Sequence, residues 1–367
     1  MNTTKKFEHY IEFFNREEEK EKILNILRQE PQEINFIYGP INSGKTTLIQ
    51  KLIEDLPKDK YTVFYINLRG KLIKEYGGFV RALFKVKRKE ISEKLSEKGE
   101  KLAKKALVFA GRYLSGIPIE KDMFDGFLDA ESTEDVFEFL EEYFLKISET
   151  KIPILIIDEL QVIGDLEING KAIYKLFNFF IRLTKELHIC HVFTLSSDSL
   201  FIERVYNEAM LHGRCNYLII DDFDEQTTKK FLEKYDLTEE ERELVWHYFG
   251  GKPHYLLYTV LSKWSNKNIK DTVNEKIKEK VKYLEDVFDE LLYTSPKVKI
   301  GDKENIVNRE KLMELLKKFT EHEKIEDKGI SRAEKIYFIN KNILFLDIKK
   351  ELLSRNQNLT YLQSGKF

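Results

Sequence analysis

The sequence predicts an α/β fold: a parallel sheet covered by helices on both faces, then a helical domain, then a small C-terminal domain. Three observations predict it. Short apolar segments at residues 34–38, 61–68, 152–157, 188–195 and 217–220 alternate with segments of helical periodicity. The first of these runs directly into Gly39-Pro40-Ile41-Asn42-Ser43-Gly44-Lys45-Thr46-Thr47 and on into a helical stretch. Beyond Asp222 the strand pattern stops and only helical segments follow for some distance.

Each element has its own reason. Residues 16–28 place Ile23, Leu24 and Leu27 at helical spacing, with Asn15 ahead of them as an expected N-cap. Ile34-Asn35-Phe36-Ile37-Tyr38 and Ile154-Leu155-Ile156-Ile157 are apolar almost throughout, as strands buried on both faces are. The stretch 71–150 reads as a long helical insertion whose part 81–106 is rich in Lys. Segments 226–235, 239–249, 254–265 and 273–292 read as four helices. A helix at 309–319 precedes two β-rich pieces, 335–339 and 343–346, joined by Asn340-Lys341-Asn342. A helix followed by such a hairpin gives a winged-helix-like C-terminal domain. The expected divisions are a core over 1–222, a helical lid over 223–292 and the C-terminal domain over 293–367.

Composition narrows the function classes. The 367 residues are 42% hydrophobic and 13% aromatic, enough for packed cores and against global disorder. Lys and Arg number 61 and Asp and Glu 63, for a net charge of −2, which excludes a uniformly basic nucleic-acid coat. No apolar run has the length of a membrane helix, and the polar first ten residues do not resemble a signal peptide, so a cytoplasmic protein is expected. Cys190 and Cys215 lack the partners of a zinc site and read as small buried hydrophobes.

The chemistry is concentrated at two strand ends. Gly39-x-x-x-x-Gly44-Lys45-Thr46 is the P-loop pattern, and strand before and helix after are its required context, which makes the core a P-loop NTPase fold. Its glycines let the loop's backbone N–H groups turn inward around phosphate oxygens, with the following helix end adding its dipole. Lys45 reaches the outer phosphates, and the Thr46 hydroxyl suits Mg²⁺. At 154–159 an apolar strand ends in Asp158-Glu159, where Asp158 can hold the metal's water shell and Glu159 can orient the attacking water. Gln161 either touches this region or simply starts a helix. Ser197, within Thr194-Leu195-Ser196-Ser197-Asp198, either senses the terminal phosphate at the carboxyl edge of the sheet or belongs to a helix N-cap.

These residues resemble the archaeal ATPase family within the STAND branch of AAA+-type NTPases. The likeness rests on Phe13-Phe14-Asn15-Arg16-Glu17, the P-loop, Asn67-Leu68-Arg69, Asp158-Glu159-Leu160-Gln161, Ser196-Ser197-Asp198-Ser199, Gly213-Arg214 and Gly250-Gly251-Lys252-Pro253, about two thirds of the chain. It implies an AAA+-like core and ATP with Mg²⁺ as ligands. It implies that Phe14, Asn15 and Arg16 lie against the adenine and that Pro253 is the lid proline closing over the base. Arg214 then stands where a neighbouring subunit's arginine finger is carried, implying a homo-oligomer in the ATP state, or else is a surface arginine. Lys252-Pro253-His254 replaces the usual lid sensor arginine, and Lys252 or His254 can take its place.

Two partner classes follow from the charge pattern. Residues 291–367 hold 16 basic against 11 acidic side chains, and residues 81–106 hold 10 against 4. Two basic segments outside the nucleotide motifs favour a DNA-associated switch acting through the C-terminal domain and the insertion. The alternative is a signalling or defence-type switch whose C-terminal domain binds protein.

Overall fold

Five parallel strands make the central sheet, in the order β2-β5-β6-β1-β7. The computed structural model describes residues 9–86, 113–130, 133–164, 172–301 and 303–355. Most of the Lys-rich stretch 81–106 therefore lies outside the described residues. In chain order the core comprises α1 (Glu17–Leu27), β1 (Ile34–Tyr38), α2 (Lys45–Asp55), β2 (Tyr61–Asn67), α3 (Tyr76–Leu83), β3 (Phe84–Val86) and β4 (Ile117–Ile119). It continues with α4 (Lys121–Ala130), α5 (Thr133–Ser148), β5 (Ile152–Asp158), α6 (Ala172–Ile181), β6 (His191–Ser196), α7 (Ser199–Tyr206) and β7 (Cys215–Ile219).

Side-chain alternation explains the two covered faces. Ile34, Phe36 and Tyr38 of β1 join one apolar cluster with Phe64, Ile66, Leu155 and Ile157. Ile37 joins the opposite one with Tyr65, Ile154, Ile156 and the inner face of α2 (Leu48, Ile49, Leu52, Ile53). Every residue of β1 is buried, as a central parallel strand requires.

Register brings the strand ends level. Tyr38 pairs with Ser196 on one side and Ile219 on the other, and Asn67 pairs with Asp158. One edge of the sheet thus carries the P-loop, the end of β5 and the end of β6. The strand expected from 188 begins at His191, because His188 is left-handed (φ 54°) and the N–H groups of Ile189 and Cys190 bond back to the Leu183 carbonyl.

The stretch 71–150 is not helical throughout: β3 and β4 pair in parallel within it, each only three residues long. The N-cap of α1 also differs from expectation. Arg16, not Asn15, occupies it, left-handed at φ 81° and without a side-chain cap bond, while the Asn15 carbonyl oxygen Oδ1 accepts from the Arg16 N–H at 2.8 Å.

Four helices follow the core: α8 (Glu225–Glu233), α9 (Glu239–Phe249), α10 (Pro253–Trp264) and α11 (Ile269–Tyr293). Local capping sets their starts. Asp224 accepts from Thr227 N–H, Thr238 and Glu241 form a capping box, Pro253 stands in the first turn of α10, and Asn268 accepts from Asp271 N–H. Their shared core is Phe231, Leu232, Leu237, Val245, Phe249, Leu256, Val260, Ile269 and Val273.

The remainder contains β8 (Lys297–Ile300), β9 (Lys303–Ile306), α12 (Arg309–Glu321), β10 (Lys324–Glu326), α13 (Arg332–Asn340), β11 (Leu344–Asp347) and β12 (Leu352–Arg355). Residues 335–339, expected as a strand, are helical. Ala333, Tyr337 and Phe338 are buried at helical spacing, and that face outweighs the strand-like composition of Ile336-Tyr337-Phe338-Ile339. The hairpin forms one element later, β11 with β12, inside an antiparallel sheet ordered β10-β12-β11. This sheet packs onto the core. The Tyr38 hydroxyl donates to Asp347 Oδ1 at 2.9 Å, the Tyr38 and Phe345 rings stack with centroids 6.2 Å apart, and Leu346 N–H donates to Ser199 Oγ at 3.3 Å.

Both cysteines are free thiols, and burial pushes each up, Cys215 to about 12. His191, at the foot of β6, is 1% exposed, and burial pushes its pKa down from 6.5 to about 4. The unfolded chain therefore binds a proton that the folded chain refuses between those values. Its contribution is present above about pH 6.5 and is lost as pH falls to 4, a change of about 3 kcal/mol. Urea unfolding at pH 7, 5.5 and 4 should show this loss, and His191→Val should flatten it. An equally steep slope in the variant would exclude His191 as its source.

Candidate functional site at the carboxyl edge of the sheet

The loop between β1 and α2 is held by close backbone contact. A Cβ at Gly39 would lie 2.1 Å from the Ile220 carbonyl oxygen, so no larger residue fits without moving β1 from the chain after β7. Asn42 and Gly44 are left-handed at φ 62° and 94°, which turns successive N–H groups toward one concavity. Ser43 is fully buried and its Oγ has no hydrogen-bond partner among the described residues. Lys45, 8% exposed, donates to the carbonyls of Gly39 and Pro40 at 2.9 and 2.8 Å. Burial pushes its ammonium down to about 8, against the attraction of Glu159. A buried cation beside a buried hydroxyl without a partner, over inward-turned N–H groups, is the donor set that polyphosphate oxygens need.

The end of β5 supplies the acids. Asp158 Oδ2 accepts from Thr46 Oγ at 2.9 Å and from the Tyr65 hydroxyl at 2.6 Å. Burial of its ring, and then the bond and charge of Asp158, push the Tyr65 phenol far up, so it stays a donor. A hydroxyl and a carboxylate at this separation offer only oxygen ligands, which suits a hard cation completed by phosphates and water. Among the described residues no cluster of three His, Cys, Asp or Glu forms a separate metal centre.

Glu159 is left-handed at φ 64°, so its side chain leaves the strand direction. Arg69 pairs with Glu159 Oε1, its Nε at 3.1 Å, and Gln161 Nε2 donates to Glu159 Oε2 at 2.6 Å. Gln161 Oε1 in turn accepts from Ser196 Oγ at 2.9 Å, and Ser196 Oγ accepts from Asp198 N–H at 3.1 Å. Gln161 thus joins the site. The serine wired to Glu159 is Ser196, the last residue of β6; Ser197, the residue expected to sense phosphate, follows it just past the strand end. Asp198 caps α7, accepting from Leu200 and Phe201 N–H groups at 3.0 Å, which is the helix N-cap among the two alternatives read for this segment.

The segment before α1 ties the loop to the helical domain. Phe14 packs edge-on against Phe223 and Phe231, and Asn15 Nδ2 donates to Thr227 Oγ at 3.0 Å. Arg16, 6% exposed, donates to the carbonyls of Ser43 (2.9 Å) and Asp221 (2.6 Å), pairs with Glu19 and lies 4.5 Å over the Phe223 ring. From the other side, Lys252 Nζ donates to the Ile41 carbonyl at 3.2 Å and pairs with Asp222 Oδ2 at 2.9 Å. Lys252 is 6% exposed, and the turn that carries it is tight: a Cβ at Gly251 would meet the Phe223 carbonyl oxygen at 1.7 Å. Pro253 follows as the first residue of α10, and His254 is turned to the Tyr255 ring instead, at 5.5 Å. Arg214 does not join this group. It precedes β7, where its carbonyl accepts from Ile34 N–H, and its guanidinium donates to the Met210 carbonyl. That is the amino edge of the sheet, a strand length from the loop.

Sequence reasoning missed Tyr65, Arg69 and Ser196 as site residues. Tyr65 lies within β2, Arg69 two residues beyond its end and Ser196 at the end of β6, and their places follow from which strands are neighbours.

The site and sheet define a P-loop ATPase fold. A Walker-type ATPase of Pyrococcus abyssi shares it at a TM-score of 0.60, with 14% identity over 94% of each chain. The ORC2 protein of Aeropyrum pernix shares it at 0.50, with 12% identity over 97% of this chain and 94% of that one. Residues 13–259 match the family of ATPase domains found predominantly in Archaea, and residues 270–363 match the C-terminal domain of the MJ1010-like uncharacterized ATP-binding proteins. The chain belongs to this archaeal ATPase family. It is 44% identical to the uncharacterized ATP-binding protein MJ1659 of Methanocaldococcus jannaschii over 96% of both chains. It is equally identical, over 93% of both, to the uncharacterized ATP-binding protein PYRAB12000 of Pyrococcus abyssi. Among the described residues no helix is long and apolar enough to cross a membrane.

Proposed function

We propose that this chain is an ATP-binding, Mg²⁺-dependent ATPase of STAND/AAA+ type that works as a DNA-associated, cytoplasmic switch. The observation that carries the ATPase reading is the Thr46–Asp158 pair at the mouth of the loop, with Lys45 buried behind it and Glu159 beside it. The loop 39–47, through its backbone N–H groups (Pro40 has none), and Lys45 would hold the phosphates, and Thr46 and Asp158 would hold the metal. Bound there, Mg²⁺ neutralises charge on the phosphate oxygens. Glu159 orients water for in-line attack once it is free of Arg69, so the Arg69 pair keeps the resting site idle. Phe14, Asn15, Arg16 and Pro253 enclose the base side, and Lys252 is the lid cation that stands in for the sensor arginine. Ser197 and Ser196 line the terminal-phosphate side. Arg214, on the far edge, serves a neighbouring subunit in an ATP-dependent homo-oligomer.

The domain reading is a core over 1–222, a lid over 223–292 and a C-terminal domain over 293–367. Helix α12, strand β10, helix α13 and the β11–β12 hairpin support a winged-helix-like C-terminal domain. Its basic excess supports contact with duplex DNA. Phosphate release measured with Mg²⁺, with EDTA and with added duplex DNA tests the whole reading. The expected result is metal-dependent turnover that duplex DNA alters at low salt, with DNA affinity falling as salt rises. No turnover in Mg²⁺ would overturn the ATPase. No DNA binding at low ionic strength would overturn the DNA association and leave a protein-binding switch.

A further inference from the structure

Three lysines are almost fully buried around the turn between α9 and α10: Lys45 at 8% exposure, Lys252 at 6% and Lys280 of α11 at 6%. The first two have partners, the Gly39 and Pro40 carbonyls for Lys45 and the Ile41 carbonyl with Asp222 for Lys252. Lys280 Nζ has no hydrogen-bond partner among the described residues. Its ammonium lies 4.0 Å over the Tyr255 ring and 5.2 Å from that of Phe249. The charged groups that act on it are Lys252 and Lys276, both cations. The nearest acid in sequence, Glu279, is taken by Lys276 at 2.5 Å. Ring faces return only a small part of what burying an unpaired ammonium costs. A lysine with only a structural role would extend its amine to water along its aliphatic stem.

Position supplies the missing partner. Phe249 and Tyr255 bracket the turn Gly250-Gly251-Lys252-Pro253, which touches the phosphate loop at Ile41. Electrostatically the three amines form a chain: Lys252 acts on Lys45 on one side and on Lys280 on the other. We infer that Lys280 is a further nucleotide-binding residue, which takes a phosphate of the bound nucleotide from the lid side. The inference rests on the ATP-binding reading above. Lysine suits the task as a compact point charge on a flexible stem. An arriving polyphosphate gives the buried ammonium the anion it lacks, and burial pushing Lys280 down to about 7 is reversed at the same step. The lid helix α11 then feels the nucleotide directly.

The test is calorimetric ATP·Mg²⁺ binding by the full chain carrying Lys280→Met or Lys280→Gln, beside wild type and Lys45→Ala, with melting temperatures in the absence of nucleotide. Both Lys280 variants should lose about tenfold or more in ATP affinity and less for adenosine. Their ligand-free melting temperatures should hold or rise, because an unpaired charge has left an apolar site. Affinity for ATP within twofold of wild type in both variants would overturn the assignment. So would an equal loss for adenosine, which would move the contact to the nucleoside. If Lys45→Ala kept its ATP affinity, the P-loop reading itself would fall; if it lost affinity while both Lys280 variants kept theirs, only Lys280 would be reassigned.

Discussion

Lys45→Ala is expected to abolish nucleotide binding while leaving a folded protein. The amine donates directly to the Gly39 and Pro40 carbonyls at the floor of the loop. Two charge-assisted bonds to phosphate, lost together, cost about 3 kcal/mol or more, a hundredfold in affinity. The fold should tolerate the change. Burial holds the ammonium down at about 8, so the resting loop carries a cation under desolvation stress, and removing it offsets the two carbonyl bonds that go with it. The readout is the melting temperature. At about 100 times the dissociation constant, ATP adds about 2.7 kcal/mol to wild-type stability, a shift of several degrees. Lys45→Ala should melt close to the ligand-free wild type and show no such shift. A shift of wild-type size would remove Lys45 from the phosphate site.

Glu159→Gln separates binding from turnover. On the proposed reading the phosphate contacts would come from the loop and Lys45, neither of which hydrogen-bonds Glu159 among the described residues. ATP affinity should therefore stay within a few-fold of wild type. Positioning and polarising the attacking water should suffer a loss of 10² to 10⁴ in kcat. Glutamine has nearly the same shape and can still accept from Arg69 through its one carbonyl oxygen, while its amide NH2 replaces the oxygen that accepts from Gln161, so the change is confined to one hydrogen bond and one charge. The Arg69 pair sharpens the prediction. Arg69→Ala releases the Glu159 carboxylate from its ion pair and should raise basal turnover several-fold. In the double variant the increase should vanish. Equal turnover in Glu159→Gln and wild type would reassign the base.

The elements that sequence alone made legible are those whose signals are local. Strands buried on both faces announce themselves as apolar runs, and the P-loop is a contiguous pattern whose backbone conformation needs Gly39 and Gly44. The four helices after the core fall within a few residues of expectation because Asp224, Thr238, Pro253 and Asn268 mark their starts. What escaped depends on contacts between distant positions. Arg69 meets Glu159 90 residues away, and Lys252 meets Ile41 211 away. Ser196 and Ser197 are indistinguishable as text, and only the end of β6 decides which one meets Gln161. Segment 335–339 misled for a related reason. Its aromatic and β-branched residues favour a strand, and tertiary packing through Tyr337 and Phe338 imposed a helix. The three-residue strands β3 and β4 are too short to show an alternation at all.

The bond from Tyr38 to Asp347 spans 309 residues of sequence and ends one peptide short of Gly39. Tyr38 is wholly buried, and the Phe345 ring stacks on it. The C-terminal sheet is therefore a wall of the ATPase core, sharing one continuous apolar cluster with β1. A chain cut after the lid would strip that wall from the strand that presents the phosphate loop, leaving Tyr38 and Ser199 facing solvent. The strand that presents the phosphate loop and the C-terminal sheet are thus one folding unit, and any domain grafted in place of that sheet must supply a new seat for a tyrosine.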